Sequence, residues 1–485
     1  MKTNSFILLL TTAAATSAFA ALSSVGPDYQ RPSVAPSAAF RDLPADSSAW
    51  KVAAPADAVD RGAWWKIYGD DVLNDLEARA LAANQDLRAT MARVDEARAA
   101  AGLARGSYFP DLSLNSSVSR ERTSQTTDNV FPQSETTTYR AALGASWEID
   151  LFGRVRRQVE SARAEAEAST ANLESVRLSL TAEVAANYFS LRGLGAEVKL
   201  VADGVGIRRQ TLRLINSRRG LGAATDFDVA RAETELASTE AESAAVSNRY
   251  SAVQNALAVL VGESASAFQI PAAGATLRAE PPGIPAGLPS QLLERRPDIA
   301  AAERALVASN ARIGVAKGAF FPAISLTGGA GWASGDIDRL ANSDSKLWSI
   351  GPSLYLPIFR GGRNKANLER SRAAYDEAVA IYRQQVLVAF REVQDALTAT
   401  RLLTDQSAAQ SRALASARHA GELAQKRYDS GFVNLLEVLD AQRTVLTTER
   451  ASAQLAAQRL NTSVALVKAI GGDWSASDQK VAMLR

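Results

Sequence analysis

The chain is written twice, and this constrains its fold more than any other feature. Residues from about 73 to 262 and from about 290 to 472 follow one plan. The stretch from Ala101 to Pro110 (AGLARGSYFP) is answered by Ala311 to Pro322 (ARIGVAKGAFFP). Further on, Gly222, Asp228-Val229 and Ala232 recur at identical spacing as Gly431, Glu437-Val438 and Ala441. Each copy reads helix, Phe-Pro, hairpin, Phe, then a very long helix that turns back once. A tandem of hairpins and long helices builds a tube more naturally than an enzyme pocket.

Proline placement gives the helices their length. No proline occurs between Pro132 and Pro271, or after Pro357. The runs Gly153 to Arg219 and Gly361 to Ser430 can therefore each be one helix of roughly 100 Å at 1.5 Å per residue. The second carries a near-heptad stripe, Tyr375, Val379, Tyr382, Val386, Phe390, Val393, Leu397 and Thr400, which keeps one face against a neighbouring helix. Each arm turns near glycine and returns as a helix of about forty residues. A first helix is expected from about Asp71 to Arg105, introduced by Trp64-Trp65.

Four strands are expected, over 111–120, 138–151, 323–333 and 346–358, each alternating polar with apolar residues. Their length and aromatic ends suit membrane barrel strands. Four strands cannot close a barrel, and an open edge is not tolerated in lipid. Other copies of the chain must complete it. Two copies give eight strands and three give twelve; a conducting tube favours three.

The rest of the chain divides accordingly. Residues 1–20 read as an export signal, with Lys2, the apolar core Phe6 to Leu10, and Ala18-Phe19-Ala20 before the cleavage point. Residues 21–62 form an extended arm. The first structural repeat spans 63–270, a linker 271–289, the second repeat 290–474 and a C-terminal tail 475–485. No segment offers eighteen consecutive apolar residues, so a membrane would have to be crossed by strands.

Composition removes several function classes. There is no cysteine and one histidine, His419, which excludes disulfides, thiolate sites and His-rich zinc sites. Formal net charge is +2 with both signs interspersed, unlike a nucleic-acid footprint. No phosphate loop, nucleophile motif or cofactor fingerprint is present. An enzyme is not expected, and neither is a cofactor or a nucleic-acid partner.

Several longer strings carry a resemblance. They are Val25-Gly26-Pro27-Asp28-Tyr29-Gln30-Arg31-Pro32, the run Leu288 to Ile299 (LPSQLLERRPDI), Gly318 to Gly328 (GAFFPAISLTG) and Gly471-Gly472-Asp473-Trp474. With them the chain resembles outer-membrane efflux factors of the TolC/NodT type, the outer ducts of tripartite pumps, over essentially its whole mature length. The resemblance implies a mainly α, internally duplicated protein. It would form a trimeric twelve-stranded β-barrel, four strands per protomer, continued by a long α-helical periplasmic tunnel. It further implies a homotrimer in outer-membrane lipid, a periplasmic adaptor protein and an inner-membrane pump. Many members of this branch carry an acylated cysteine just before the Val-Gly-Pro-Asp-Tyr stretch; here Ala21-Leu22-Ser23-Ser24 stand there.

By position, the resemblance assigns a periplasmic gate to Asp440, Glu437, Asp228 and Tyr428. The adaptor-facing tips would be Gly220, Gly222, Ala223 and Ala224 on the first hairpin and Gly431, Phe432 and Val433 on the second. Carboxylates gathered on a threefold axis repel one another and attract cations, so such a ring passes solutes only by widening. Asp228 and Glu437 have a local reading as well, since acids favour the positive N-terminus of a returning helix. The expected function is a passive exit duct for drugs or other small toxic compounds. A type I protein-secretion duct and a non-transporting coiled-coil scaffold are the alternatives; the scaffold leaves the amphipathic strands unexplained.

Overall fold

A computed structural model describes residues 24–33, 62–124, 135–270, 280–283 and 295–472. The export signal, most of the arm and of the linker, and the C-terminal tail lie outside them. A 3-10 turn, Trp64–Tyr68, precedes α1 (Asp71–Ala83) and α2 (Gln85–Gly106). Then follow β1 (Asp111–Arg122), β2 (Glu135–Ile149), α3 (Arg154–Gly220) and α4 (Asp226–Leu260). The second series is α5 (Pro297–Gly318), β3 (Ala323–Ser334), β4 (Lys346–Tyr355), α6 (Arg363–Asp429) and α7 (Leu435–Ala469).

The duplication holds to the residue in the helices. α2 and α5 each have 22 residues, α3 and α6 each 67, α4 and α7 each 35. Proline-free sequence does form the two very long helices. The expected single first helix is instead two. Asn84, with extended ψ 127, ends α1, and its Oδ1 accepts the Leu87 N–H at 2.9 Å to start α2. Asparagine competes for backbone partners in this way and so favours caps over helix interiors.

The described residues fall into two compact units, one within 1–33, 93–170 and 301–383 and the other within 34–92, 171–300 and 384–485. These do not coincide with the repeats, because each unit draws on both. The first contains a four-stranded antiparallel sheet in the order β1-β2-β3-β4. β2 begins at Glu135 rather than 138, and β4 stops at Tyr355, before Pro357. The register places Leu112, Leu114 and Val118 of β1 on one face with Tyr139, Leu143 and Trp147 of β2. Ile324, Leu326 and Trp332 of β3 and Trp348, Ile350 and Leu354 of β4 continue that face. The opposite face is built mostly from Ser, Thr, Asn, Gly and Ala, with Leu347 and Tyr355 on β4 and few charges. The apolar face is bare: Trp348 is 77% exposed, Leu112 75% and Ile350 68%. Tyr139 and Trp147 stand eight residues apart on β2, roughly 27 Å along the strand, near the height of an apolar band once the strand tilts. No described helix is long and apolar enough to cross a membrane.

The N-terminal Val-Gly-Pro-Asp-Tyr-x-Arg string is a strap within this unit. The Val25 N–H bonds Phe152 O at 2.9 Å, Pro27 O accepts Asn310 Nδ2 at 2.9 Å, and Asp28 pairs with Arg157 at 2.6 Å. Tyr29 and Arg31 both reach Glu303, Arg31 with two nitrogens at 2.7 and 2.6 Å. Gly26 lies so close to Gly314 that a Cβ would sit 2.6 Å from its Cα, which excludes any other residue.

In the second unit Trp64, Trp65 and Tyr68 anchor the core with Leu73, Leu76, Tyr188, Phe189, Leu257 and Val464. Trp64 Nε1 donates to Thr181 Oγ1 at 3.1 Å, Tyr68 and Ser463 share a 2.7 Å hydroxyl bond, and Tyr188 donates to Asp70 at 2.7 Å. The stripe read on α6 is buried at Tyr382, Val386 and Val393.

The Arg-Arg-Pro-Asp string between the repeats is a clamp in the same unit. Arg296 bonds Asp298 at 2.5 Å, Glu392 at 2.7 Å and the Ala469 carbonyl at 3.0 Å, tying α5, α6 and α7 together. Burial pushes the Asp298 carboxyl up, but Arg296, Gln385 and the Ile299 N–H outweigh it and hold Asp298 below the ordinary carboxylate range.

Candidate functional site at the hairpin tips

Both tips are stopped by the same device. In the first, Gly222 has φ +75, its N–H bonds Arg219 O at 2.9 Å, and the Ala223 N–H bonds Arg218 O at 2.8 Å. In the second, Gly431 has φ +78, its N–H bonds Tyr428 O at 2.9 Å, and the Phe432 N–H bonds Arg427 O at 2.8 Å. The left-handed turn satisfies helix-end carbonyls and requires glycine. Gly220 is different: it is the last residue of α3 and helical. Phe432, Leu221 and Phe227 project from the tips, 79%, 84% and 71% exposed. Ala223 is also exposed, Val433 is half-buried, and Ala224 packs against Ile215, Val229 and Ala232.

The acids fall into two classes. Asp228 is engaged locally: Thr225 caps α4, and Asp228 Oδ2 accepts the Thr225 N–H at 2.9 Å and its hydroxyl at 2.7 Å. Those bonds hold the Asp228 carboxyl below its usual range. Glu437 occupies the equivalent place in α7, where Asn434 caps its N–H at 3.2 Å, but its carboxylate makes no hydrogen bond or ion pair among the described residues. Asp440 is one turn further on, exposed and likewise unengaged. Glu437 and Asp440, three residues apart, share a helix face. The position matching Asp440 in the first hairpin holds Arg231.

Tyr428 joins the two hairpins. Arg218 Nη1 donates to its hydroxyl at 2.5 Å, and the guanidinium lies 4.9 Å from the ring centroid. Sequence reasoning missed Arg218 and a set of buried charges further along. Glu235 pairs with Arg443 and stands 3.9 Å from Arg208. Glu197, 1% exposed, receives Arg450 at 2.6 Å and Gln454 at 3.1 Å. A signal for them was present. Glu197 and Arg208 lie on a buried stripe with Val201, Gly204 and Ile215, at spacings of four, three, four and seven. A charge at an apolar position of such a stripe needs a partner on the neighbouring helix.

The family model for outer membrane efflux protein matches twice, over residues 76–263 and 288–472. The chain belongs to that family. This efflux protein is 35% identical over 454 residues to the solvent efflux pump outer membrane protein SrpC of Pseudomonas putida, covering 93% of this chain and 95% of that one. It is 33% identical over 452 residues to the cation efflux system protein CusC of Escherichia coli O6:H1, covering 93% and 96%. Among solved structures, the open state of the MtrE outer membrane channel of Neisseria gonorrhoeae superposes with a TM-score of 0.79 at 33% identity, covering 93% and 98%. The protein is thus an outer-membrane channel of an efflux pump, with a mainly helical, internally duplicated fold that contributes a membrane sheet.

Proposed function

We propose that three copies of this efflux protein close one twelve-stranded barrel and form the passive exit duct of a tripartite pump. The open sheet carries the reading: an apolar face is bare and both edge strands, β1 and β4, lack an outer partner among the described residues. Lipid covers the face and neighbouring copies pair the edges. An inner-membrane pump supplies the energy, and a periplasmic adaptor docks on the exposed tips around Phe432, Val433 and Ala223. Asp440 and Glu437, exposed and unengaged, form the constriction. Asp228 contributes less, because Thr225 already occupies its carboxylate. The Arg218–Tyr428 contact holds the hairpins in the closed arrangement. Relatives of similar identity are named for solvents and for cations, which supports a reading in which the pump rather than this protein chooses the cargo.

Residues 1–20 act as the export signal in this reading, with 63–270 and 290–474 as the two repeats. N-terminal sequencing of the mature protein checks the cleavage point. The central test is planar-bilayer conductance of the purified oligomer, wild type beside Asp440→Ala. A small cation-selective conductance that rises or loses selectivity in the variant is expected. A conducting channel indifferent to Asp440 moves the gate to Glu437, and a membrane-inserted oligomer that never conducts rejects the duct.

A further inference from the structure

The polar face of the sheet carries an isolated positive charge. Reading the ladders, Arg140 of β2 stands opposite Ser117 of β1 and Ala333 of β3, with Thr138 and Ala142 next to it on the same face. None of these neighbours is charged. The other charges on this face lie towards the strand ends. Asp111 and Glu148 are at the helix end, where Glu148 is held by Arg154 at 2.5 Å, and Glu121 is at the loop end. Arg140 is exposed and makes no ion pair among the described residues. Its height is that of Tyr139 and Trp332, the aromatic residues towards the loop end on the apolar face.

An arginine without an ion-pair partner leaves its positive charge open to its surroundings. On the wall of a water-filled tube surrounded by lipid, such a charge acts on what passes, because low-dielectric walls concentrate its field in the lumen. We propose that Arg140 forms a ring of three guanidinium groups lining the barrel lumen at its outer end, a site that attracts permeating anions. The ligand class is a small or polyvalent anion: chloride, phosphate, or a solute bearing carboxylate or phosphate groups. The inference rests on the trimeric, inward-polar barrel proposed above.

The test is planar-bilayer recording of the full-length oligomer in potassium chloride, with inorganic pyrophosphate added on the barrel side. Wild type, Arg140→Gln and Arg140→Lys are compared. Pyrophosphate should reduce the wild-type current and that of Arg140→Lys, and lose most of that effect on Arg140→Gln. The reversal potential of Arg140→Gln under a salt gradient should also shift towards greater cation selectivity. Equal block and equal reversal potentials in all three proteins overturn the ring and leave the duct intact. Absence of conductance in wild type rejects the duct, and the ring with it.

Discussion

Glu77 lies on α1 with no exposed surface, and neither carboxylate oxygen has a hydrogen-bond partner among the described residues. Burial pushes its carboxyl up from 4.5 to about 9. The native protein therefore keeps a proton that the unfolded chain releases above about 4.5. Stability from this group is full below that pH, falls by of order 1 kcal/mol per pH unit above it, and levels off near 9. Glu77→Gln should raise neutral-pH stability and flatten this decline, read from denaturant melts at several pH values. Parallel wild-type and variant pH curves would contradict the assignment. Nothing in the sequence announced Glu77, because a lone Glu in a helix reads as surface until its neighbours are known. For the acids proposed to form the gate, the sequence gives their positions in the repeats but not their engagement. Asp228 and Glu437 occupy matching sites in the duplicated sequence, yet only Asp228 faces a threonine cap able to occupy its carboxylate.

At the scale of elements, Arg296 is the residue on which three helices depend. Arg296→Ala leaves Asp298 and Glu392 facing each other without their shared cation and should cost roughly 3 kcal/mol at neutral pH. Asp298, held ionised by that cation, loses its contribution as pH falls below the ordinary carboxylate range, so the gap between variant and wild type should narrow in acid. Urea melts at neutral and acidic pH decide it; a pH-independent gap would show that Arg296 acts by packing alone. The long helices were the most legible elements, since absent prolines and a heptad stripe need no tertiary information. The break at Asn84 was not, because it depends on a side chain choosing the Leu87 N–H and the Leu260 carbonyl, which lies far along the chain. The strands were legible from alternation, and their ends shifted by one to three residues, as where pairing extended β1 to Arg122 and started β2 at Glu135, or Pro357 stopped β4.

For the whole molecule, the absence of cysteine is an experimental convenience. Cysteines introduced at Ser113 or Ser117 on β1, combined with Ser349 or Ser353 on β4, can bond only where two edges meet. At least one combination should give covalent dimers and trimers in oxidised outer membranes, and an intrachain bond or no cross-link in any combination would refute closure by neighbouring copies. The oligomer was readable from strand count alone, because unpaired edges cannot stand in lipid. How each repeat divides between the two compact units was not, since both copies supply strands to one sheet and helices to one core.

The two open edges also set how damage would be inherited. Each barrel has three seams, and every seam joins β4 of one copy to β1 of the next. A chain with one ruined edge still folds its helices and still enters assemblies through its sound edge. When such a chain is made in equal amount with the intact one, only about one trimer in eight is free of it, if copies mix at random. A fault in a single strand edge would thus behave as dominant, silencing most channels in a cell that still carries a perfect gene.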